Sequence, residues 1–291
     1  MSEVIKLKAD DTHRTVRYTP NVVYATKDGV SLRLQLLQPA SYEYDRTKPK
    51  LPCVVFVQGS AWLQQDIYHN VPQIADFAKR GYVTCIVEYR HSGIAPFPAQ
   101  IMDAKTAVRF LRLHSDEYGI DANNMFLWGD SSGAHSAMGA AFSADLDCYD
   151  DGVYKEVSAA VNGVIDFCAP VDLYEMREEE EKWVTTFGFP SSPGAQFMGV
   201  KDRLPVRKDA DKTKTANLIT TDIAIPPVMI VHGDRDSVVP YSQSLLLKDA
   251  LDAADKEYEM YELVGSDHSG PSFFQKEVYD LMEDFICRNL Q

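Results

Sequence analysis

The sequence predicts an α/β fold, with one doubly wound and mostly parallel sheet that the chain enters through an antiparallel hairpin. Three observations carry that expectation. Continuous apolar runs of strand length recur along the chain, as in Pro52-Cys53-Val54-Val55-Phe56-Val57, and such runs mark strands buried on both faces. From residue 71 onward these runs alternate with stretches of helical periodicity, the rhythm of repeated βα units. Finally, Gly129-Asp130-Ser131-Ser132-Gly133 joins one apolar run to one small-residue helical stretch, a bend tight enough to need glycine on both sides.

Taken in order, residues 1–15 are a polar lead-in, and residues 16–26 and 31–38 alternate around the turn signal Lys27-Asp28-Gly29, which reads as a hairpin. Residues 39–51, with Pro39 and Pro49, form a surface loop, and residues 52–57 are the first buried strand. A helix over 71–80 is stopped by Gly81 and followed by a strand over 82–89 and a long amphipathic helix over 98–118. Residues 125–128 are the strand before the serine, and 134–144 its helix. Strands over 159–167, 227–232 and 258–264 follow, with helices over 242–254 and 272–289. These units compose a single domain over residues 16–291. The rhythm breaks only at 171–225, which is too long for a plain connection and is expected to be a cap insertion. Its run Glu178-Glu179-Glu180-Glu181 reads as a solvated helix face without a catalytic role.

Composition narrows the function classes. A net charge of −14 over 291 residues disfavours binding to nucleic acid or to an anionic membrane, both of which call for Lys and Arg. The five cysteines show no metal-type spacing, and Cys53, Cys85 and Cys168 lie in apolar, strand-like runs. An odd count suits a reducing compartment, and neither an apolar leader core nor a stretch of membrane-spanning length is present. A soluble, cytoplasmic chain is expected, without nucleic-acid or membrane partners and with its oligomeric state open.

A serine hydroxyl becomes a competent nucleophile only beside a base that is itself oriented by an acid. Ser131 sits at the tight bend. The run Val231-His232-Gly233-Asp234-Arg235-Asp236-Ser237-Val238-Val239-Pro240 follows a buried strand and offers Asp236 as the acid, in preference to Asp234. Val264-Gly265-Ser266-Asp267-His268 follows the next strand and offers His268 as the base, expected to titrate near neutrality. His232 reads as structural at a strand end, and His13, His69, His91, His114 and His135 lack this loop context. Backbone N–H groups of Ser60, Ala61 and Ser132 are the expected oxyanion hole. Apolar rings in the insertion, Phe187 and Phe189 among them, are expected to cover the pocket beside Ser131, with Trp62 as the opposite wall.

Gln58-Gly59-Ser60-Ala61-Trp62, Glu88-Tyr89-Arg90, Phe97-Pro98-Ala99-Gln100-Ile101-Met102-Asp103, the serine bend and the Asp236 and His268 loops together resemble an α/β-hydrolase. The likeness is to the hormone-sensitive-lipase-like esterases, near the bacterial feruloyl/acetyl esterase branch, and runs from about residue 16. The chain departs from the family's His-Gly-Gly-Gly-Trp at Gln58, Ser60 and Ala61. The resemblance implies a carboxylic-ester hydrolase that works through an acyl-enzyme on a small-molecule acetyl- or feruloyl-type ester, with no metal or organic cofactor. Amide or peptide cleavage, as in arylformamidases and prolyl-oligopeptidase-type peptidases, is the alternative chemistry. A non-catalytic ligand-binding protein of this fold would require a broken Ser-His-Asp set.

Overall fold

In the computed structural model, which describes residues 4–9, 14–40, 49–144, 146–188, 191–200 and 206–291, the chain first doubles back at Asp28 and Gly29. Their positive φ angles of 49° and 77° match the right-handed twist of a hairpin. Strand β1 (Val16–Lys27) thereby pairs antiparallel with β2 (Val30–Pro39). Next come β3 (Leu51–Val57), α1 (Val71–Ala78), β4 (Val83–Val87), α2 (Ala99–Leu113) and the short α3 (Ser115–Tyr118). Strand β5 (Ile120–Asp130) runs directly into α4 (Ser131–Phe142), and β6 (Gly163–Phe167) follows. Beyond α5 (Arg177–Phe187), α6 (Pro193–Phe197) and α7 (Arg207–Thr213), the sheet resumes with β7 (Val228–Gly233), α8 (Ser242–Ala253), β8 (Tyr258–Leu263) and α9 (Lys276–Arg288).

The eight strands lie in the order β1-β2-β4-β3-β5-β6-β7-β8, parallel from β4 onward. The chain moves outward from β3 to β4, then returns across β3 to β5. The crevice at that reversal, beyond the carboxyl ends of the strands, is where α/β sheets assemble sites. Register sharpens the point, because Val57 pairs with Gly129 and Asp130 with Phe167. The loops leaving β3, β5 and β6 therefore start side by side.

Strand alternation divides the core. Val55, Val57 and Leu127 pack on the side of α2, α4 and α8. Val54, Phe56, Phe126 and Trp128 pack on the side of α1 and α9. A smaller cluster joins Trp62 to Leu173, Met176, Phe197 and Ala210, so that the 171–225 segment rests on the loop after β3. No helix among the described residues is long and apolar enough to cross a membrane.

Three expectations need correction. The helix over 98–118 is two helices, with His114 at φ −97° and ψ 20° between them. The closing helix starts at Lys276, after a 3₁₀ turn over Pro271–Phe274 and an extended Gln275. Glu180 is no solvated residue: it is 2% exposed, and its Oε1 accepts the Ser192 hydroxyl (2.7 Å) and the Gly194 amide. The orphan donors at the start of α6 need an acceptor, and this carboxylate supplies one from α5. Burial raises its pKa.

A second buried acid ties the hairpin to the sheet. Asp103, fully buried in α2, accepts the Arg90 guanidinium at 2.8 and 2.9 Å, the Arg90 amide at 2.8 Å and the Lys27 ammonium at 3.0 Å. Arg90 reaches on to Asp28 at the hairpin turn (2.7 Å). Removing one member of such a pair strands the other charges away from water. Asp103→Ala is expected to lower unfolding free energy by about 3 kcal/mol or more, read from urea denaturation. A change within about 0.5 kcal/mol would place the network outside the stabilising core.

Candidate active site

Ser131 is the first residue of α4 and has a φ of +51°. A non-glycine residue in this left-handed region is strained by roughly 1–3 kcal/mol and persists only where its surroundings over-determine it. The determinant here is contact between backbones. A Cβ built on Gly133 would lie 2.0 Å from the Val57 carbonyl oxygen, and one on Gly129 would lie 2.6 Å from the Ala134 nitrogen. Only glycine lets α4 close this tightly on β3 and β5. The Ser132 amide belongs to the first helical turn, where N–H groups have no intrahelical acceptor.

The sheet brings His268 and Asp236 together. Nδ1 of His268 lies 2.7 Å from Oδ2 of Asp236, while Oδ1 of Asp236 accepts the amides of Val238 (2.8 Å) and Val239 (2.7 Å). Asp234 instead accepts the Gly265 amide, and Asp267 accepts the amides of Ser237 and His268, which braces the histidine loop. His232 is more than a strand-end residue. Its Nε2 contacts both the Val239 carbonyl (2.9 Å) and Asp236 Oδ2 (3.2 Å), and its Nδ1 faces the Ser244 hydroxyl at 2.6 Å. Because a carbonyl only accepts, Nε2 carries the proton, and Asp236 is held between two imidazoles.

Burial alone would raise the Asp236 carboxyl, but the hydrogen bonds from His232 and His268 outweigh it and hold the pKa down at about 2. For His268, burial disfavours the imidazolium, yet interactions with Cys168 and with the Asp236 carboxylate win, and the pKa lies well above the ordinary 6.5. The near-neutral base expected from sequence is thus shifted upward. The Cys168 sulfur lies 3.3 Å from the Ser269 hydroxyl, and it clusters with Asp236 and His268 so that ligand atoms of all three fall within 4.8 Å of one another. In that cluster the acid and base atoms are already joined by their own hydrogen bond, so it reads as a proton-sharing pair beside a thiol.

The loop after β3 differs from expectation in one donor. The Ser60 amide points to Ser132 Oγ (2.9 Å), as does the Trp62 amide (3.1 Å), and the Gly59 amide donates to Asp130 Oδ1 (2.7 Å). Of the three amides expected to form an oxyanion hole, that of Ser60 is already satisfied by a side chain. The amide of Ala61 has no hydrogen-bonding partner among the described residues.

Ser131, Ser132 and His268 line one cavity of about 450 Å³, together with Gln58, Ser60, Ala61 and Trp62. Trp62, expected as the wall opposite the insertion, lines the cavity but stacks on the insertion's own Phe197 in α6, with ring centres 4.1 Å apart. The insertion reaches the cavity through Met176 and Trp183. Phe187 ends α5, but its side chain, and Phe189 altogether, lie outside the described residues. His69 and Asn70 also line the cavity. Nothing in their sequence context marks them beyond their place shortly after the loop that leaves β3. Three of the lining residues also carry a buried polar atom, Gln58 Oε1, Trp62 Nε1 and Trp183 Nε1, without a hydrogen-bond partner among the described residues.

The family profile BD-FAE matches residues 41–251. Esterase LipC of Mycobacterium tuberculosis is 26% identical over 229 residues, covering 76% of this chain and 53% of that protein. Esterase LipQ of the same organism is 26% identical over 248 residues, covering 81% of this chain and 55% of that one. The chain thus spans about half the length of these curated relatives. Among solved structures, the truncated form of a carbohydrate esterase from gut microbiota superposes with a TM-score of 0.78 at 26% identity, covering 98% of this chain and 99% of that one. An esterase from Thermogutta terrifontis shares the fold, with a TM-score of 0.71 at 22% identity over 94% of this chain and 92% of that one. Strand order, serine bend and profile match agree: the chain has the α/β-hydrolase fold and belongs to the BD-FAE family.

Proposed function

We propose that this protein is a serine carboxylic-ester hydrolase. One observation carries the reading: the His268–Asp236 hydrogen bond of 2.7 Å stands at the wall of the cavity that also holds the strained Ser131. In this mechanism neutral His268 takes the Ser131 proton as the hydroxyl oxygen attacks the ester carbonyl. Asp236 keeps the imidazole oriented and stabilises its charged form. The amides of Ala61 and Ser132 receive the developing oxyanion. His268 then returns the proton to the departing alcohol, and the same imidazole activates the water that hydrolyses acyl-Ser131.

The preferred ester has a small or an aromatic acyl group, of acetyl or feruloyl type, on a polyhydroxylated alcohol. The likeness to a carbohydrate esterase from gut microbiota supports that preference. Residues 16–291 act in this reading as one catalytic domain, with 171–225 as the cap that sets substrate size. Trp183 and Met176 are its contacts with the cavity, and the rings of Phe187 and Phe189 remain part of the proposed cover.

Ser131→Ala is expected to reduce p-nitrophenyl acetate turnover by at least about 10³-fold, with Asp236→Asn also severe and Asp234→Asn mild. More than about a tenth of activity left in Ser131→Ala would move the nucleophile elsewhere. An aminoacyl anilide assayed alongside should turn over far more slowly than the ester, and the opposite preference would favour the amidase chemistry.

Only neutral His268 can accept a proton, and its raised pKa keeps it charged to higher pH. The ascending limb of kcat/KM against pH should therefore lie above pH 6.5, giving an alkaline optimum. A limb at or below that value would contradict the pairing of His268 with an ionised Asp236.

Trp183→Ala is expected to change the ranking among acetyl, butyryl, feruloyl and long-chain esters by at least about fivefold in relative kcat/KM. A common factor across all esters, or a drop in thermal stability alone, would make the insertion scaffold and the cap assignment wrong.

A further inference from the structure

We propose that the Ser132 hydroxyl is a positioning residue that clamps the oxyanion loop by binding the two amides flanking Ala61. The proposal rests on the reading of Ser131 as the nucleophile.

The loop it would clamp is a turn that its own residues do not favour. The Leu63 amide donates to the Ser60 carbonyl at 3.0 Å, and both central residues, Ala61 and Trp62, have positive φ, at 52° and 56°. Turns with positive φ at both central positions belong to Gly, Asn and Asp, because a side chain there crowds the backbone. Neither alanine nor tryptophan offers a local hydrogen bond in compensation. The conformation needs an external hold.

Ser132 Oγ is placed to supply it. The residue is 1% exposed, and its oxygen accepts the Ser60 amide at 2.9 Å and the Trp62 amide at 3.1 Å. Those bonds occupy both lone pairs of the hydroxyl. Proton directions in the surrounding network follow from acceptor chemistry. The Leu63 carbonyl can only accept, so Ser60 Oγ donates to it at 2.7 Å. Tyr89 then donates to Ser60 Oγ at 2.9 Å, and the Ser132 proton faces the Tyr89 oxygen at 3.5 Å. Ser132 immediately follows Ser131 at the start of α4, so the clamp fixes the loop relative to the very turn that carries the nucleophile. Between the two clamped amides stands that of Ala61, the loop donor left for the oxyanion.

Loss of the hydroxyl would leave the Ser60 and Trp62 amides without their acceptor and let the Ala61–Trp62 turn relax. The effect falls on the transition state, where the oxyanion forms, and not on ground-state binding by the cavity walls.

The test is a double-mutant cycle on p-nitrophenyl acetate with Ser132→Ala, Ala61→Gly and the double variant, alongside wild type labelled with diethyl p-nitrophenyl phosphate. Ser132→Ala should lower kcat by about tenfold or more with KM within about twofold. In the Ala61→Gly background the same change should cost at least about threefold less in kcat, because glycine relieves one of the two positive-φ positions that the clamp holds. Equal losses in both backgrounds, a loss confined to KM, or a Ser132→Ala enzyme as fast as wild type would each overturn the proposal. The last of these would mean that the freed Ser60 amide serves the oxyanion itself. Absence of phosphorylation on Ser131 in wild type would instead overturn the nucleophile assignment, and the clamp with it.

Discussion

The site depends on how closely the first turn of α4 lies against the end of β3. Gly133 approaches the Val57 carbonyl so nearly that a Cβ would sit 2.0 Å from it, and no side chain can separate the two backbones. That contact forces the strand-to-helix bend at Ser131 into the left-handed region. It also sets Asp130 and Ser132 within reach of the loop leaving β3, where they take up the amides of Gly59, Ser60 and Trp62. Ser131, the proposed nucleophile, and the loop proposed to stabilise the oxyanion are therefore held directly against each other. Such preorganisation lets dipoles act on a developing charge without first having to move.

The second half of the site is electrostatic. Asp236 is buried, a state that by itself favours the neutral acid, yet two backbone amides and two imidazoles keep it ionised. An ionised carboxylate at 2.7 Å then favours the charged form of His268. His232 takes part from behind the cavity wall: its Nε2, which donates to the Val239 carbonyl, also lies 3.2 Å from Asp236 Oδ2. Asp130 joins the halves, since it binds the Gly59 amide and interacts with Ser269, the neighbour of His268.

Much of this was legible in the sequence because it is local or periodic. Apolar runs gave away the buried strands, and the paired glycines around Ser131 announced a backbone contact before its partner was known. Asp236 could be preferred to Asp234 from loop position alone; Asp236 hydrogen-bonds to His268, and Asp234 accepts the Gly265 amide. What was not legible depends on side chains from separate elements meeting in space. Glu180 looks like one more solvated glutamate until α6 brings Ser192 and Gly194 against it. Ser60 looks like an oxyanion donor until Ser132, 72 residues away, accepts its amide. Trp183 and His69 carry no motif, and only the packing of the insertion and of the loop before α1 places them on the cavity wall.

The most direct measurement is trapping of the covalent intermediate. Wild-type protein mixed with p-nitrophenyl acetate, quenched in acid within the first turnover and mapped by peptide mass spectrometry, should carry an acetyl group on Ser131. It should also release a burst of nitrophenol equal to the concentration of active sites. An acetyl group on Ser132 or on any other residue, or turnover with neither burst nor adduct when deacylation is the slow step, would contradict acyl transfer through Ser131.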